Sequence, residues 1–245
     1  MDLAPLLDSD LLAGGRWLAE CESTNTLLLT EDMPTPYLLG ADNQTAGRGR
    51  PGKSWSGGLG CLTFSLAVSD ADVRTARELI ELHEASPVVG VSSLAVGAAV
   101  CEAVNRMLPG RGELPMVKWP NDVLVGGRKL AGVLVERRGE RTVIGVGLNV
   151  SNEPPAGGTS LKAAYGVAPA MDVVLASLVF RLLDEGLRWD DEILGMVRAR
   201  DALFGREITV SGPDEAVGTA HGITSRGELI VEGRFVSTGS VHLVG

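Results

Sequence analysis

The residues best suited to chemistry lie in one glycine-rich stretch, residues 47–55, which reads Gly-Arg-Gly-Arg-Pro-Gly-Lys-Ser-Trp. Glycines let the backbone turn tightly and bring N–H groups close to a ligand. The guanidinium groups of Arg48 and Arg50 match phosphate or carboxylate oxygens, Lys53 adds a third cation, and Trp55 offers a ring for stacking. The stretch predicts an anion-binding loop, although a solvated, mobile connector has the same composition.

Two lysines farther along the chain extend this set of cations. Lys118 precedes a Trp-Pro-Asn-Asp corner, and Lys129 lies at the start of an apolar run. If residues 118–125 and 129–136 form neighbouring strands, both ammonium groups face one pocket beside the loop. Such a cluster suits a triphosphate, whose reactions depend mainly on positioning and charge neutralisation. Each lysine alone is equally consistent with a solvated strand end.

Other catalytic signatures are missing from the sequence. Residues 47–54 lack the spacing of a Walker P-loop, and neither Gly-x-Ser-x-Gly nor His-Glu-x-x-His occurs. The histidines lack metal-ligand spacing and the cysteines form no Cys-x-x-Cys pair, so we expect no His or Cys metal site and reduced thiols. The histidines are His83, His221 and His242, and the cysteines are Cys21, Cys61 and Cys101.

The composition is that of a globular protein with a sizeable core, since 44% of the 245 residues are hydrophobic and 22% are charged. The length predicts one large domain, alone or with a small appendage. A net charge of −9 argues against nucleic-acid binding, because phosphate contacts need a positive surface. No signal-peptide pattern and no run of about 18 apolar residues occurs, so we expect a cytoplasmic protein without a membrane span.

Local patterns predict the elements that must position these groups. Alternating apolar residues place one strand before and one after the glycine-rich loop, and Ser23 is a preferred helix N-cap. Gly145 and Gly147 inside a strand mark close approach of a ligand or another backbone. The predicted strands are 16–20, 37–41, 61–68, 128–136 and 142–150, then 206–210, 216–223, 228–231 and 241–244; the predicted helices follow Ser23 and span 88–108, 171–188 and 191–204. The last four strands predict a small β-barrel or β-sandwich that docks on the larger part.

Five motifs in order resemble those of the biotin protein ligases, the biotin–[acetyl-CoA-carboxylase] ligases. They are Ser-Thr-Asn at 23–25, Gln-Thr-Ala-Gly-Arg-Gly-Arg at 44–50, Lys-Trp-Pro-Asn-Asp at 118–122, Arg-Lys-Leu-Ala-Gly at 128–132 and Gly-Val-Gly-Leu-Asn at 145–149. The resemblance implies an α+β fold with a central mixed β-sheet flanked by helices and a small C-terminal SH3-like β-barrel. It also implies a catalytic domain over residues 1–204 and an SH3-like domain over 205–245.

The resemblance implies an ATP-dependent reaction in two steps. The carboxylate of biotin attacks the α-phosphorus of ATP, giving biotinyl-5′-AMP and pyrophosphate, and a lysine of a biotin carboxyl carrier domain then displaces AMP. Mg²⁺ accompanies ATP through its phosphates. The partner is the carrier domain of acetyl-CoA carboxylase or a related carboxylase, with no nucleic acid or membrane involved. The sequence does not decide between a monomer and a homodimer.

The site residues implied by the resemblance fall into three groups. The biotin site comprises Ser23, Thr24, Asn25, Gln44, Gly47, Arg48, Gly49, Arg50, Lys129 and Gly132. The ATP and adenylate site comprises Arg48, Arg50, Lys53, Trp55, Lys118, Asn121, Lys129 and Asn149. The catalytic group comprises Arg48, Lys118, Asp122 and Lys129. Gln44 is the implied partner of the ureido head of biotin, whereas Asp122 either steers the carrier lysine or only shapes its corner.

The sequence departs from the family pattern at two loop positions and differs from some members in its domains. Lys53 stands where many members carry Arg, and Pro51 is not the usual residue, which puts contacts to the pyrophosphate end in question. About 15 residues precede residue 16, too few for the helix-turn-helix domain of repressor-type members. We therefore expect a monofunctional ligase with no repressor role.

Three alternatives compete with this interpretation. A lipoate–protein ligase is disfavoured because its Arg-Arg-x-Ser-Gly-Gly-Gly and Tyr-His-Asp signatures are missing. A non-enzymatic sensor of biotin or nucleotide is disfavoured by the intact set of loop and strand cations. A nucleic-acid binder that uses the glycine–arginine loop is disfavoured by the acidic balance.

Overall fold

The computed structural model describes residues 1–72 and 93–244. Its strands are β1 Gly14–Cys21, β2 Tyr37–Gln44, β3 Cys61–Ser69, β4 Met116–Lys118, β5 Asp122–Val125, β6 Arg128–Arg138, β7 Arg141–Asn149, β8 Glu207–Ser211, β9 Ala216–Ile223, β10 Leu229–Val231, β11 Arg234–Val236 and β12 Ser240–Leu243. Its helices are α1 Ala4–Leu7, α2 Thr24–Thr30, α3 Ser93–Met107, α4 Leu161–Tyr165, α5 Met171–Arg181 and α6 Asp191–Ala199. A π-helical turn, Leu182–Gly186, continues α5.

The first seven strands form one mixed sheet in the order β1-β2-β3-β7-β6-β5-β4. Only β1 and β2 pair in parallel, with α2 as their connection, and the other described neighbours pair antiparallel. The glycine-rich loop joins β2 to β3 as predicted. The mixed sheet and its flanking helices confirm the expected α+β class.

The two faces of this sheet bury different kinds of side chain. In β3, Leu62, Phe64 and Leu66 are fully buried in the main core, which α3, α5 and α6 cover. The alternate residues Thr63 and Ser65 point to the opposite face, where α2 packs, because successive strand side chains alternate. The face beneath α2 is therefore the one with space and polar groups for a ligand.

The C-terminal strands form a five-stranded antiparallel sheet in the order β11-β10-β9-β8-β12, consistent with the SH3-like module. It packs on the larger part through two indole N–H groups: Trp119 Nε1 donates to Gly227 O at 3.0 Å and Trp189 Nε1 donates to Ser225 O at 2.8 Å. One cluster of buried hydrophobic residues runs through both parts. A domain boundary at residues 204/205 stays a prediction.

Several elements differ from the local patterns. Residues 118–125 are not one strand, because the chain reverses at the Pro-Asn corner between β4 and β5. The helix expected over 191–204 ends at Ala199, since the next residues pair with β4: Val117 N donates to Arg200 O and Ala202 N donates to Val117 O. Helix 171–188 gives way to the π-turn after Arg181.

Two further elements depart from expectation. The three-residue strand β11 was not predicted. Of the helix expected over 88–108, the described part runs from Ser93 to Met107, and residues 88–92 lie outside the described residues.

Candidate active site

A single row of registered residues crosses the sheet and forms the floor of the site. Lys118 on β4 pairs with Asp122 on β5, which pairs with Gly132 on β6, then Gly147 on β7 and Thr63 on β3. Registered neighbours on adjacent strands face the same side of a sheet. The register therefore places a cation and a carboxylate at one end of the row and two glycines in its middle.

The glycines leave a surface that the indole of Trp55 covers. A Cβ on Gly147 would come within 2.1 Å of the Trp55 ring, and one on Gly132 within 3.1 Å. Gly145, in the next row, leaves room for a side chain of α2, since its Cβ would lie 2.3 Å from Asn25 Oδ1. The close approach inferred from Gly145 and Gly147 is thus made by side chains of this chain.

The cavity above this floor has a volume of about 300 Å³, at the lower end of the range for small-molecule sites. It brings together most of the residues predicted from sequence: Ser23, Thr24, Asn25, Gln44, Arg48, Gly49, Arg50, Lys53, Trp55, Lys118, Asn121, Asp122, Lys129 and Gly132. Two predicted residues do not line it. Gly47 borders a second cavity, lined by the loop and by residues 133–136 of β6. Asn149 is buried, with Oδ1 accepting from Asn152 Nδ2 at 2.9 Å.

One end of the cavity is a neutral hydrogen-bonding pocket, lined by Thr24, Asn25 and Gln44 and backed by the buried Ser65. We call these four residues the neutral pocket. Gln44 Oε1 accepts from Thr24 N at 2.8 Å, and Thr24 Oγ1 lies 2.7 Å from Ser65 Oγ. Ser65 Oγ donates to Asn25 Oδ1 at 2.6 Å. Because its oxygen is engaged by the backbone, Gln44 keeps its amide NH₂ available to an acceptor on a ligand.

Ser23 explains why these residues hold their positions. It is the N-cap of α2, and its Oγ accepts from Thr26 N at 3.4 Å. The helix therefore begins with Thr24 and Asn25 in its first turn, directed at the sheet, and both are almost fully buried. Ser23 itself contributes to the pocket mainly through this structural role.

The glycine-rich loop is a closed hairpin. Trp55 N donates to Gly47 O at 2.9 Å and Gly49 N donates to Lys53 O at 3.1 Å. At the tip, Lys53 N donates to Arg50 O at 2.8 Å around Pro51 and Gly52, and Gly52 has φ 78°. Proline followed by a glycine of positive φ is the signature of a type II turn, so the unusual Pro51 suits this tip.

The two arginines of the loop reach different partners. Arg50 donates from Nη1 to Gly239 O at 2.7 Å and from Nη2 to Ser240 Oγ at 3.3 Å, which ties the loop to the C-terminal strands. Arg48 forms an ion pair with Glu136, with Nη2 2.7 Å from Oε1. Arg50 thus lies between the cavity and the C-terminal module, while Arg48 is bound to β6.

The other end of the cavity is a cluster of cations around one carboxylate. Lys129 Nζ lies 2.6 Å from Asp122 Oδ1 and 5.5 Å from the centre of the Trp55 ring. Burial lowers the pKa of Lys118, and the charges of Lys129 and Arg50 lower it further, whereas Asp122 raises it. Burial also lowers the pKa of Arg50. One carboxylate among these cations leaves the cluster with an excess of positive charge.

The lysines of the chain are concentrated here despite its net charge of −9. The chain has Lys53, Lys118, Lys129 and Lys162, and the first three line the cavity. Such a concentration favours binding of an anion with several charges, such as a nucleotide phosphate.

Asn121 has a partner within the protein. Its Nδ2 donates to Val133 O at 2.7 Å, and Val133 N donates back to Asn121 O at 2.9 Å. The residue therefore holds the corner between β4 and β5 against β6. A contact of Asn121 with nucleotide stays a prediction.

Sequence patterns missed several residues of the site. Thr63 and Ser65 are signalled by the alternation of residues 61–68, which separates them from the apolar core positions, but were not singled out. Glu136 ends an apolar run without any motif of its own. The C-terminal residues Ser240, Val241 and His242 also line the cavity, and nothing local in the sequence connects them with it.

The described parts of the chain contain no group of three His, Cys, Asp or Glu side chains placed to hold a metal ion. No helix within residues 1–72 and 93–244 has the length and apolarity needed to span a bilayer. The three cysteines are free thiols.

Comparison with known proteins places these features in a family context. The family model for the biotin/lipoate A/B protein ligase family matches residues 17–151. The biotin–[acetyl-CoA-carboxylase] ligase of Mycobacterium tuberculosis is 33% identical over 99% of this chain and 96% of its own length. The enzyme of the same name from Paracoccus denitrificans is 28% identical over 88% of this chain and 93% of its own length.

A solved structure shares the fold. The biotin protein ligase of Aquifex aeolicus, in complex with biotin and ATP, superposes with a TM-score of 0.76 and 24% identity. The match covers 94% of this chain and 98% of the Aquifex chain.

Proposed function

This chain belongs to the biotin/lipoate A/B protein ligase family, and we propose that it attaches biotin to a biotin carboxyl carrier domain of acetyl-CoA carboxylase or a related carboxylase. It is an ATP-dependent biotin–[acetyl-CoA-carboxylase] ligase, with biotin and ATP as its substrates. The proposed reaction forms biotinyl-5′-AMP and then transfers biotin to a lysine of the carrier. The proposed enzyme is cytoplasmic and has no repressor role.

The observation that carries the proposal is the polarity of the cavity. Its neutral pocket offers hydrogen bonds to an uncharged head group, and Lys118, Lys129 and Arg50 lie near its other end. Biotin has this division, with a neutral ureido head and a carboxylate at the end of its chain. Joining that carboxylate to ATP brings two anions together, and the cations offset their repulsion.

The following roles are proposed for individual residues. Gln44 donates from Nε2 to the ureido oxygen, since Thr24 N occupies its Oε1. Lys129 binds the carboxylate of biotin and the adenylate phosphate, exchanging Asp122 for the substrate. Lys118 holds phosphates and polarises the mixed anhydride. Trp55 stacks its ring near the adenine, and Arg50 belongs to the loop that closes over biotin and the adenylate.

The described residues also bear on the proposed Mg²⁺. Of those that line the cavity, Asp122 alone carries a carboxylate, and it is paired with Lys129. This donor set suits an ion that keeps most of its oxygen ligands from phosphate and water. Bound in that way, Mg²⁺ would neutralise phosphate charge.

The test is transfer of biotin to a purified biotin carboxyl carrier domain with ATP and Mg²⁺, read on a streptavidin blot and by pyrophosphate release. Lipoate with a lipoyl carrier domain, read by the mass of the carrier, serves as the parallel arm. We expect modification of the carrier with biotin and none with lipoate. Transfer of lipoate but not biotin would assign the chain to the other branch of its family. A lack of pyrophosphate release with both substrates would refute the proposal.

Gly145→Ala is expected to weaken biotin binding by about tenfold or more, because the added Cβ displaces Asn25 and breaks the neutral pocket. Calorimetry with biotin alone measures it. The control is Gly195→Ala, where the Cβ meets nothing within 4 Å on the exposed face of α6 and adds about 0.5–1 kcal/mol of helix stability. Equal affinities for the two variants would contradict the placement of the head group.

Asp122→Asn is expected to move the alkaline limb of the pH profile of adenylate formation to lower pH. Lys118 is charged below its pKa, and Asp122 raises that pKa, so removing the carboxylate lets the lysine lose its proton sooner. Pyrophosphate exchange measured against pH checks this shift. The control is Asp32→Asn, whose carboxylate is fully exposed at 109%. An unmoved limb would exclude a charged Lys118 from the step.

A further inference from the structure

We propose that Glu136 is a positioning residue that anchors the glycine-rich loop through Arg48, and that the neutral pocket holds Glu136 in place for this task. The anchor is made by contacts within this chain and can be tested without substrate. Its consequence for the adenylate rests on the proposed function.

The loop contacts β6 through Arg48. Arg48 Nη2 lies 2.7 Å from Glu136 Oε1, and Nη1 donates to Thr26 Oγ1 on α2 at 3.4 Å. The guanidinium is thereby held between a strand and a helix of the main body. Through these contacts Arg48 is engaged with the body of the protein.

The carboxylate of Glu136 is fixed by Asn25. Glu136 Oε2 accepts from Asn25 Nδ2 at 3.0 Å, and Asn25 is only 4% exposed. Ser65 Oγ donates to Asn25 Oδ1, which obliges the amide to direct its NH₂ toward Glu136. Both oxygens of Glu136 thus have partners, one a buried amide and the other the loop arginine. An arginine–carboxylate bond to a side chain that is already held loses less entropy than one between two free chains.

Hydrogen bonds and an ion pair connect the neutral pocket continuously with the loop. Gln44, Thr24, Ser65, Asn25, Glu136 and Arg48 form one chain of contacts from the pocket to the loop. The head group of a ligand and the loop that covers it therefore share a set of hydrogen bonds. A ligand that orders the neutral pocket also orders the anchor of the loop.

The glycine-rich loop needs an anchor to keep one conformation. The loop has glycines at positions 47, 49 and 52, so its backbone has many alternative conformations. The closed hairpin is held at two points, by Arg48 on the sheet and by Arg50 on the C-terminal module. Loss of one point is expected to open the loop more often without unfolding the protein.

Glu136→Gln isolates the anchor. A glutamine oxygen still accepts from Asn25, but its amide group offers the guanidinium of Arg48 no charged partner. The matched control is Glu140→Gln, on the exposed turn between β6 and β7. Arg48→Met removes the other partner and keeps most of the apolar stem.

Limited trypsin digestion of the ligand-free full chain tests the anchor without any reaction. The loop offers cleavage after Arg48 and after Lys53, while Pro51 protects the bond after Arg50. We expect cleavage in Glu136→Gln about fivefold faster than in the parent, with Glu140→Gln unchanged and both thermal midpoints retained. Equal cleavage rates in Glu136→Gln and the parent would overturn the anchor.

Release of biotinyl-5′-AMP tests the consequence through a double-mutant cycle. We expect the release rate to rise about fivefold in Glu136→Gln and in Arg48→Met, and no further in the double variant, because the two side chains act as one unit. A release rate in the double variant that rises by the product of the two single effects would overturn the coupling. A chain that forms no adenylate would refute the proposed function, while the trypsin result would still decide the anchor.

Discussion

Lys129→Ala is expected to slow formation of biotinyl-5′-AMP by about a hundred- to a thousandfold, the range found when one group that stabilises a developing charge is removed. Lys129 lies beside Asp122 and over the face of Trp55, at the point where the cation cluster meets the covered floor. Its loss leaves Asp122 without its ion-pair partner at the proposed position of the biotin carboxylate. Both the affinity for biotin and the rate of pyrophosphate release fall for this reason.

The measurement is pyrophosphate release at saturating ATP over a range of biotin concentrations. Lys162→Ala is the matched control, because Lys162 is the one lysine of the chain outside the cavity lining and its side chain is exposed. Lys129→Arg keeps the charge and is expected to recover part of the rate, though the planar guanidinium does not reproduce the ammonium geometry. Near-parent rates in Lys129→Ala would show that the site is misplaced.

Lys118→Met is expected to slow transfer from preformed biotinyl-5′-AMP to the carrier by about a hundredfold. Lys118 lies at the end of the row that crosses the sheet, on the edge strand β4 and opposite Asp122. Methionine preserves the stem, so the change removes the charge with little effect on packing. The lost charge is the one that we propose to stabilise the departing AMP phosphate.

Transfer is measured in single turnovers with synthetic adenylate, which bypasses the first step. Lys118→Arg should retain most of the rate, and Lys162→Ala should equal the parent protein. Burial lowers the pKa of Lys118. As pH rises, the transfer rate of the parent should therefore begin to fall at a lower pH than it would with a lysine of ordinary pKa. An unchanged transfer rate in Lys118→Met would confine this residue to ATP binding or to the fold.

Short-range patterns in the sequence were sufficient for the elements around the site. The N-cap at Ser23, the strands on either side of the loop and the C-terminal strands follow from hydrogen-bonding side chains, alternation and turn residues that act over a few positions. The ordered motifs also led to most residues that line the cavity. The elements need only residues that are close in sequence, whereas most of the site residues were implied by the resemblance of five ordered motifs to those of a known family.

One departure from those patterns arises from long-range pairing. The helix after Asp191 stops where Arg200 and Ala202 bond to Val117, more than 80 positions earlier. Local propensity favours continuing the helix, and a strand partner distant in sequence overrides it. The missed strand β11 has a local origin instead, because it pairs with β10 across the turn at residues 232–233.

The different partners of the two loop arginines are also a property of the folded chain. In sequence, Arg48 and Arg50 are equivalent cations two positions apart. In the structure, one bonds to Glu136 on β6 and the other to Gly239 and Ser240 of the C-terminal module. Partners about 90 and 190 residues away cannot be inferred from the composition of a nine-residue loop.

The residue types of the site were thus already legible in the sequence: a glycine-rich cationic loop, two strand lysines and a neutral polar helix start. The folded chain alone decided their arrangement, because strand register aligns Lys118, Asp122, Gly132 and Gly147 in one row across the sheet. Register depends on many backbone bonds and on which face is buried, and both are set by the whole sheet. That register converts scattered cations and glycines into one cavity.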